Sequence, residues 1–552
     1  MEPLNRLGAL GKRIKVGPLG PVADVPFNLK TLAEAGVIRP VRPDKLARSA
    51  RELIRYGASP AAGIASAAIN HPNEPMVIDE EGELTFADIH RRTNALANAL
   101  ADEGIEAGQG VAIMARNHRF FIDATLALSK IGANALYLNT AFSGPQLEGV
   151  MEREEPVALV YDEEFRELLG EADPDIDAKR FVALGDGGDA GHRTLHDLID
   201  EAPASAPGAP DEGSRFIILT SGTTGTPKGA QRSAPDTLAP LAAMFSRIPL
   251  HSRETTVIAA PLFHSWGFAH FQLGLALNST YVLHRKFDPE ETLKAIEEHE
   301  ATALVVVPVM MQRILQLPQE TLDKYELPSL RVTAASGSAL PGDLAKKWMD
   351  TFGDNLYNLY GSTEVAWATI ATPEDLREAP GTAGKPPRGT VVKIVDDDGD
   401  DELPQGKTGR VFVGNDMAFE GYTGGGNKDE YKGLLSSGDV GHFDEEGRLF
   451  IDGRDDEMIV SGGENVFPHE VEDLIAGLGA VKEVAVIGVD DDEWGQRLKA
   501  FIVTTDGEEL SDDDVRSYVK KNLAGYKVPR DIEFLDSLPR NSTGKVLKRE
   551  LT

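Results

Sequence analysis

The sequence predicts an α/β protein of layered, largely parallel sheets covered by helices, followed by a small β-rich unit and then a separate α+β domain. Three observations predict it. From Leu84 onward, apolar runs of strand length alternate with stretches of helical periodicity. Around Thr390 to Val413 the texture changes to short β-runs, VVKIV and RVFV, joined by an acidic turn and the turn at Gly406 to Gly409. After Gly453-Arg454 a third texture begins, long enough for a domain of roughly 100 residues. The boundaries that follow are 1–75, an N-terminal arm; 76–453, the main domain with its β-rich part at about 380–453; and 454–552, the small domain.

In the arm, Pro and Gly are scattered through Gly17 to Pro26 and Pro40 to Pro43. Lys45, Arg48, Arg51 and Arg55 recur at helical spacing opposite Leu46, Ala50, Leu53 and Ile54, which predicts a basic amphipathic helix. Such a helix is expected to pack against the acidic main body; contact with an anionic membrane surface is the alternative. Thr85 is placed to cap a helix through Asp88 to Ala101, Gly110 to Met114 reads as a buried strand, and Phe120 to Ile131 as the next helix. The alternation continues with strands at Val157 to Tyr161, Phe216 to Leu219, Thr256 to Ala260, Thr280 to Leu283 and Ala303 to Val307. Pro203 to Gly213, rich in Pro, Ala and Gly, is a surface connector. In the last domain Glu470 to Ile475 reads as helix, Glu483 to Val489 and Lys499 to Thr504 as strands, and Asp512 to Leu523 as a helix capped by Ser511.

Composition narrows the functions. Hydrophobic content of 41% and charged content of 26% are those of a globular protein. There is no apolar run of about 18 residues to span a bilayer, and Gly and basic residues interrupt Gly8 to Lys15 where a secretory signal would be apolar. A cytoplasmic address is the expectation. The absence of cysteine excludes disulfides, thiolate metal sites and a cysteine nucleophile, so any thioester sulfur must arrive with a cofactor. A formal net charge of −33 argues against nucleic-acid binding. Acidic clusters such as Asp512-Asp513-Asp514 read as helix starts or solvated loops, and salt adaptation is the other reading of the excess.

Four stretches carry chemistry. Thr220 to Gly229, TSGTTGTPKG, follows a strand and combines glycines with the hydroxyls of Thr220, Ser221, Thr223, Thr224 and Thr226 and the charge of Lys228. A loop of that kind, with Gly222 and Gly225 letting backbone N–H groups approach, suits a polyphosphate; an ordinary strand-to-helix turn has a similar composition. It is not the Walker pattern, because Gly229 follows Lys228. Asn358-Leu359-Tyr360-Gly361-Ser362-Thr363-Glu364 brings together a ring on which a base can lie, hydroxyls for phosphate and a carboxylate for magnesium. Ser437-Gly438-Asp439 offers a carboxylate to ribose hydroxyls. Pro539 to Lys545, seven residues from the end, is a basic tail or a mobile cation that reaches a distant site.

In this order, TSGTTGTPKG, YGSTE, SGDVG, GRDDEMIVSGGENVFPHEVE and PRNSTGK make the chain resemble the adenylate-forming superfamily of acyl-CoA synthetases, luciferases and nonribosomal adenylation domains, from about Thr85 to Arg549. The resemblance implies a large N-terminal domain of two layered, largely parallel sheets plus a β-rich subdomain, with a small mobile C-terminal domain. It also implies two steps: a carboxylic acid attacks the α-phosphate of ATP to give acyl-adenylate and pyrophosphate, and the acyl group then passes to a thiol. Carried over by motif, Thr220, Ser221, Gly222, Thr223, Thr224, Gly225 and Lys228 would bind the outer phosphates. Glu364 with Thr220 would hold Mg2+. Ser336, Gly337, Ser338 and Ala339 with Asn358, Tyr360, Gly361 and Thr363 would frame the nucleotide, Asp439 and Arg454 would bind the ribose, and Lys545 would bridge carboxylate and α-phosphate.

Asp456 would be the hinge of a domain rotation that brings Ser461, Gly462 and Gly463 against the pantetheine arm of CoA. The stretch Pro261 to Gly267 resembles the loop at the acyl pocket, with His264 between carboxylate and thiol path and Trp266 and Gly267 beside it. Phe268, Phe271, Leu273 and Leu275 line a hydrocarbon channel or belong to the core. One stretch departs from the pattern: Thr423-Gly424-Gly425-Gly426 replaces a polar turn and is expected to loosen that loop.

The approach to the last motif, Ala524 to Pro529, resembles that of acyl-CoA ligases, which favours CoA as the thiol; the overall resemblance to fatty acid ligases and the basic arm favour a medium- or long-chain fatty acid as the acid. An aryl-acid CoA ligase and a fatty acyl-AMP ligase are the alternatives within the superfamily. A non-catalytic nucleotide-binding regulator is the alternative outside it, and would be expected to lack Lys545, Glu364 or Asp439, all of which are present. Oligomeric state, a homodimer included, is left open.

Overall fold

The computed structural model describes residues 24–172, 179–185, 191–220, 228–231, 237–396, 399, 401–417, 419, 421–423, 427–457, 459–461, 464–491, 495–505, 507–508, 510–541 and 544–551. Two eight-stranded sheets form its main domain. One runs in the spatial order Thr369–Ala371, Leu356–Tyr360, Val332–Ala335, Ala303–Val306, Thr255–Ile258, Thr280–Leu283, Pro75–Asp79, Gly82–Thr85, parallel throughout except at its two outermost pairs. The other runs Gly421–Tyr422, Lys228–Gln231, Phe216–Thr220, Asn134–Tyr137, Gly110–Met114, Ala158–Tyr161, Lys179–Val182, Arg193–Thr194, antiparallel only at its first two pairs. Strands covered on both faces have no solvent side. This is why Ala158–Tyr161, Ala303–Val306 and Val332–Ala335 are buried at every residue rather than alternating, with Thr333 the one hydroxyl among the aliphatic residues of the last.

The helix Arg119–Ile131 contacts strands of both sheets. Between them runs an aromatic seam, with ring centroids of Phe121 and Tyr137 5.1 Å apart, Tyr137 and Phe268 4.9 Å, and Phe216 and Phe268 5.1 Å. Local chemistry sets the helix starts. Thr85 and Asp88 close a capping box on Phe86–Asp102, and Ser511 and Asp514 do the same for Asp512–Asn522, so the acidic cluster there is a helix start.

Residues 24–75, read from sequence as an arm, are built into this body. They form helices Val25–Glu34, Pro43–Tyr56 and Pro60–Asn70. Leu32, Ala35, Ile64 and Ala67 belong to the main core cluster. The basic helix Pro43–Tyr56 is held through carbonyl oxygens rather than through acidic side chains: Lys45 Nζ donates to Asn70 O at 2.8 Å, and Arg55 donates to Pro207 O.

The β-rich part is a five-stranded antiparallel sheet of Val391–Val395, Gly409–Gly414, Leu434–Phe443 and Glu430–Tyr431, with Leu449–Arg454 added to Leu434–Phe443. In the small domain Val481–Asp491 and Gly495–Thr504 pair along their length, Asp531–Phe534 adds in parallel, and helices Pro468–Ala476 and Asp512–Asn522 cover one face around Val471, Ile475, Val515 and Val519. No described helix is long and apolar enough to cross a membrane.

Candidate active site

In the first sheet the chain steps from Thr255–Ile258 to a neighbour on one side, Thr280–Leu283, and returns to Ala303–Val306 on the other. Loops leaving the carboxyl ends of the strands diverge at such a reversal and open a crevice. A cavity of about 1570 Å³ lies there, lined by Val307, Ser336, Gly361 and Ala260 from the loops after four of those strands. It exceeds the roughly 300–1,000 Å³ of an ordinary small-ligand pocket, so it has room for more than one reactant.

The stretch Ser336 to Ala339 and the stretch Asn358 to Glu364 form one side of the cavity. Gly361 is required by close approach: a Cβ there would lie 2.2 Å from Ala366 O. The loop therefore folds back on itself, and Ala368 N donates to Tyr360 O at 2.8 Å. The Tyr360 hydroxyl donates to Asp439 and lies 3.1 Å from Ser437 Oγ. Arg454 Nη1 stands 3.7 Å from the other Asp439 oxygen. Burial pushes the Asp439 carboxyl up, while Tyr360, Arg454 and Lys545 pull it down, so the positive field of Lys545 reaches this carboxylate. Burial, with Asp439 adding to it, also holds the Tyr360 hydroxyl well above its ordinary range, so it stays a donor.

Asn358 Oδ1 is buried in the same wall with no hydrogen-bond partner among the described residues. An unpaired buried acceptor is costly, and an exocyclic amino group such as that of adenine would satisfy it. Glu364 is 8% exposed and accepts from the Tyr422 hydroxyl at 2.7 Å. Among the described residues no three His, Cys, Asp or Glu side chains cluster as a metal cage. Magnesium commonly binds through one or two carboxylates together with phosphate oxygens and water, and Glu364 fits that mode.

The opposite side comes from Pro261 to Gly267 and the start of helix Ser265–Leu277, whose N-terminal turn faces the cavity. Ser265 Oγ lies 3.0 Å from Thr363 Oγ1, tying the two sides together. Trp266 Nε1 donates to Val306 O at 3.1 Å, which fixes the indole on the wall. Burial lowers His264 to about 4 and His270, the next residue but three beyond Trp266 on that helix, to about 3. Both are neutral at pH 7. Between about 6.5 and 4 the unfolded chain takes up protons that the folded chain refuses, so stability rises with pH across that window. Thermal unfolding followed from pH 7 down to pH 5 should show a falling Tm, and His270→Leu should flatten the slope; an unchanged slope would contradict the assignment.

The phosphate-type loop closes a hairpin rather than leading into a helix: Thr220 pairs with Lys228 and Leu219 with Gly229, antiparallel. Ser221, Gly222, Thr223, Thr224 and Gly225 lie outside the described residues, and Thr220 is described at its backbone alone. Lys228 lines the cavity, its Nζ 5.4 Å from the centre of the Tyr422 ring. Of the stretch expected to loosen the loop after Tyr422, Gly424 to Gly426 lie outside the described residues, while Thr423 accepts from Gly229 N at 3.0 Å and donates to Glu154 Oε1 at 2.5 Å. Tyr422 itself was missed, because its partner Glu364 is distant in the chain and its spacing carries no signal.

Lys545 reaches the cavity from the small domain. Gly544 adopts φ +79°, and a Cβ on it would lie 2.2 Å from Val309 Cγ1 of the main domain, so only glycine lets the tail come this close. Lys548 on the same tail bridges Glu457 at 3.1 Å and Glu472 at 2.9 Å. The expected hinge, Asp456, lies in the single turn Asp455–Glu457 and is described at its backbone alone. Its neighbour Asp455 is held by Arg410 of the β-rich sheet at 3.1 Å. Ser461 is buried in the small domain's sheet, paired with Gly495, and is not part of the cavity wall; Gly462 and Gly463 lie outside the described residues. Of the apolar residues after His264, Phe268, Leu273 and Leu275 line the cavity, whereas Phe271 is core, packed 5.5 Å from Tyr281. Gly544→Ala should lower adenylate formation at least tenfold by holding the tail off Val309, with partial recovery in the Gly544→Ala, Val309→Ala double variant; no recovery would separate the loss from that contact.

Residues 64–423 match the family described as AMP-binding enzyme, and residues 470–545 match the AMP-binding enzyme C-terminal domain. The chain is 32% identical to a feruloyl-CoA synthase of Amycolatopsis sp over 473 residues, covering 85% of this chain and 93% of that one. It is 28% identical to the long-chain-fatty-acid–CoA ligase FadD13 of Mycobacterium tuberculosis over 471 residues, covering 85% and 92%. Among solved structures, ATP-bound MatB from Rhodopseudomonas palustris superposes with a TM-score of 0.78 at 27% identity, covering 89% of this chain and 98% of that one.

Proposed function

The chain belongs to the AMP-binding enzyme family, and from that premise we propose that it is an ATP-dependent acyl-CoA synthetase acting on a medium- or long-chain fatty acid. The observation that carries this reading is that Lys545, Asp439, Arg454, Tyr360, Glu364 and His264 border one cavity although they come from two domains.

In the first step a carboxylate oxygen of the acid attacks the α-phosphorus of ATP, the bond to the β-phosphate oxygen breaks, and pyrophosphate leaves. Both reactants are anions, so the protein's task is to neutralise charge where it builds up. The Lys545 ammonium bridges the carboxylate and the α-phosphate. Asp439 accepts from the ribose hydroxyls, with Tyr360 and Arg454 fixing its orientation. Ser336 to Ala339 and Asn358 enclose the base, and Gly361 and Thr363 meet the α-phosphate. Thr220 to Lys228 cradle the outer phosphates. Magnesium would be held by Glu364 with Thr220 and would supply further neutralisation of the phosphate charge.

In the second step the sulfur of CoA attacks the acyl carbon, the bond to AMP breaks, and the thiol proton is lost to solvent. Lys545 stands where the thiol must enter, so the small domain turns about Asp456 and presents Ser461, Gly462 and Gly463 to the pantetheine arm. That Ser461 lies away from the cavity while Lys545 lines it supports reading the present arrangement as the adenylate-forming one.

The fatty-acid reading rests on the apolar share of the cavity wall, to which Phe216, Leu238, Leu241, Met244, Phe268 and Leu273 contribute. Thioester formation with CoA over saturated and aryl acids tests it. Saturated acids of medium or long chain should give the highest kcat/KM, and a preference for aryl acids would replace the substrate class. Hydroxamate trapping with and without CoA discriminates the fatty acyl-AMP ligase. Peripheral membrane contact is supported by Arg48 and Arg51, exposed on the same helix as Ile54, which is 86% exposed. Equal sedimentation of the full-length protein and an Arg48→Glu, Arg51→Glu variant with anionic vesicles would remove it.

A further inference from the structure

The cavity does not end at the apolar wall. It also reaches the N-terminal helices, where Leu46, Ala50 and Leu53 of helix Pro43–Tyr56 border it. These three are spaced i, i+4, i+7, so they form one stripe on the helix. Leu46 is 58% exposed and Leu53 54%, so the stripe is covered by little of the protein itself. The helix is nonetheless pinned on its polar side. Lys45 donates to Asn70 O at 2.8 Å, and Asn70 Nδ2 donates to Ser49 Oγ at 3.2 Å, which ties it to helix Pro60–Asn70. It also precedes residue 64, where the family match begins, so this wall lies outside the matched stretch.

We propose that helix Pro43–Tyr56 is the far wall of the acid channel, taking the end of a long hydrocarbon tail against Leu46, Ala50 and Leu53, and that it thereby sets the acyl length used most efficiently. The occupant is the acid substrate itself, because the stripe borders the same cavity as Lys545, and Phe216, Leu241, Phe268 and Leu273 are also among its lining residues. The inference rests on the proposed acid-activating reaction. A tail that reaches the stripe withdraws apolar surface on both sides from water, and each buried methylene is worth roughly a fourfold gain in kcat/KM.

The experiment measures kcat/KM for saturated acids from butyrate to stearate, free in solution, with the full chain, the Leu46→Ser, Leu53→Ser double variant and Ala50→Trp. Expected is a stearate-to-butyrate ratio lowered roughly tenfold or more in the double variant, and an optimum moved to shorter acids in Ala50→Trp, with Tm unchanged in both. A ratio unchanged in both variants, or equal losses on every acid, would overturn the proposal. So would a long-chain loss seen only when the acid is presented in vesicles, which would place the helix at a lipid surface instead. An enzyme that activates short or aryl acids but no long ones would overturn the proposal and leave the reaction standing; no activation of any acid would remove the reaction itself.

Discussion

Replacing Lys545 by alanine should abolish adenylate formation, by roughly 10²–10³-fold or more, yet largely spare thioester formation from supplied acyl-adenylate. The asymmetry follows from where the ammonium stands. It is held at the cavity by a tail that fits only because Gly544 meets Val309 without a side chain, and its field already reaches Asp439. In the proposed mechanism it joins carboxylate to α-phosphate in the first step and has left in the second. Equal loss of both half-reactions would mean that the lysine supports the fold or binds both complexes, and the division of labour between the two arrangements would fall with it.

Glu364→Gln should lower pyrophosphate exchange by roughly 10²-fold and raise the magnesium concentration needed for half-maximal rate. The substitution keeps the shape of the side chain and an oxygen for the Tyr422 hydroxyl, now 2.7 Å away, but removes the charge. No group of three acidic or histidine side chains among the described residues stands ready to replace that charge. Tyr422→Phe serves as the comparison, since it removes the hydroxyl and leaves the carboxylate. A magnesium requirement unchanged in Glu364→Gln would assign this carboxylate to holding Tyr422 rather than the metal.

Much of the fold was legible because doubly covered parallel strands must be short apolar runs, and because caps are local. Thr85 with Asp88 and Ser511 with Asp514 announce their helices within four residues of sequence. Strand ends were less legible. The strand read as Thr256 to Ala260 stops at Ile258, where the Asn117 side chain takes the carbonyls of Ile258 and Ala260 at 3.2 and 3.0 Å. The strand read through Val307 stops at Val306, because Val307 precedes Pro308 and begins the next helix.

The N-terminal segment was read as an arm because its Pro and Gly content suggests little packing. Burial of Leu32 and Ile64 depends on partners far along the chain, which local pattern does not reveal. The site followed the same division. Short motifs pointed to Tyr360, Glu364, Asp439 and Lys545. The pairing of Glu364 with Tyr422, the anchoring of Thr423 on Glu154, and the separation of Phe271 from its channel-lining neighbours needed the folded chain.

The most direct test is exchange of labelled pyrophosphate into ATP by the purified full chain with magnesium, acid by acid, without CoA. The account predicts exchange that requires both the acid and the metal and that disappears in Lys545→Ala. Absence of exchange with every acid, or exchange that persists in Lys545→Ala, would contradict it.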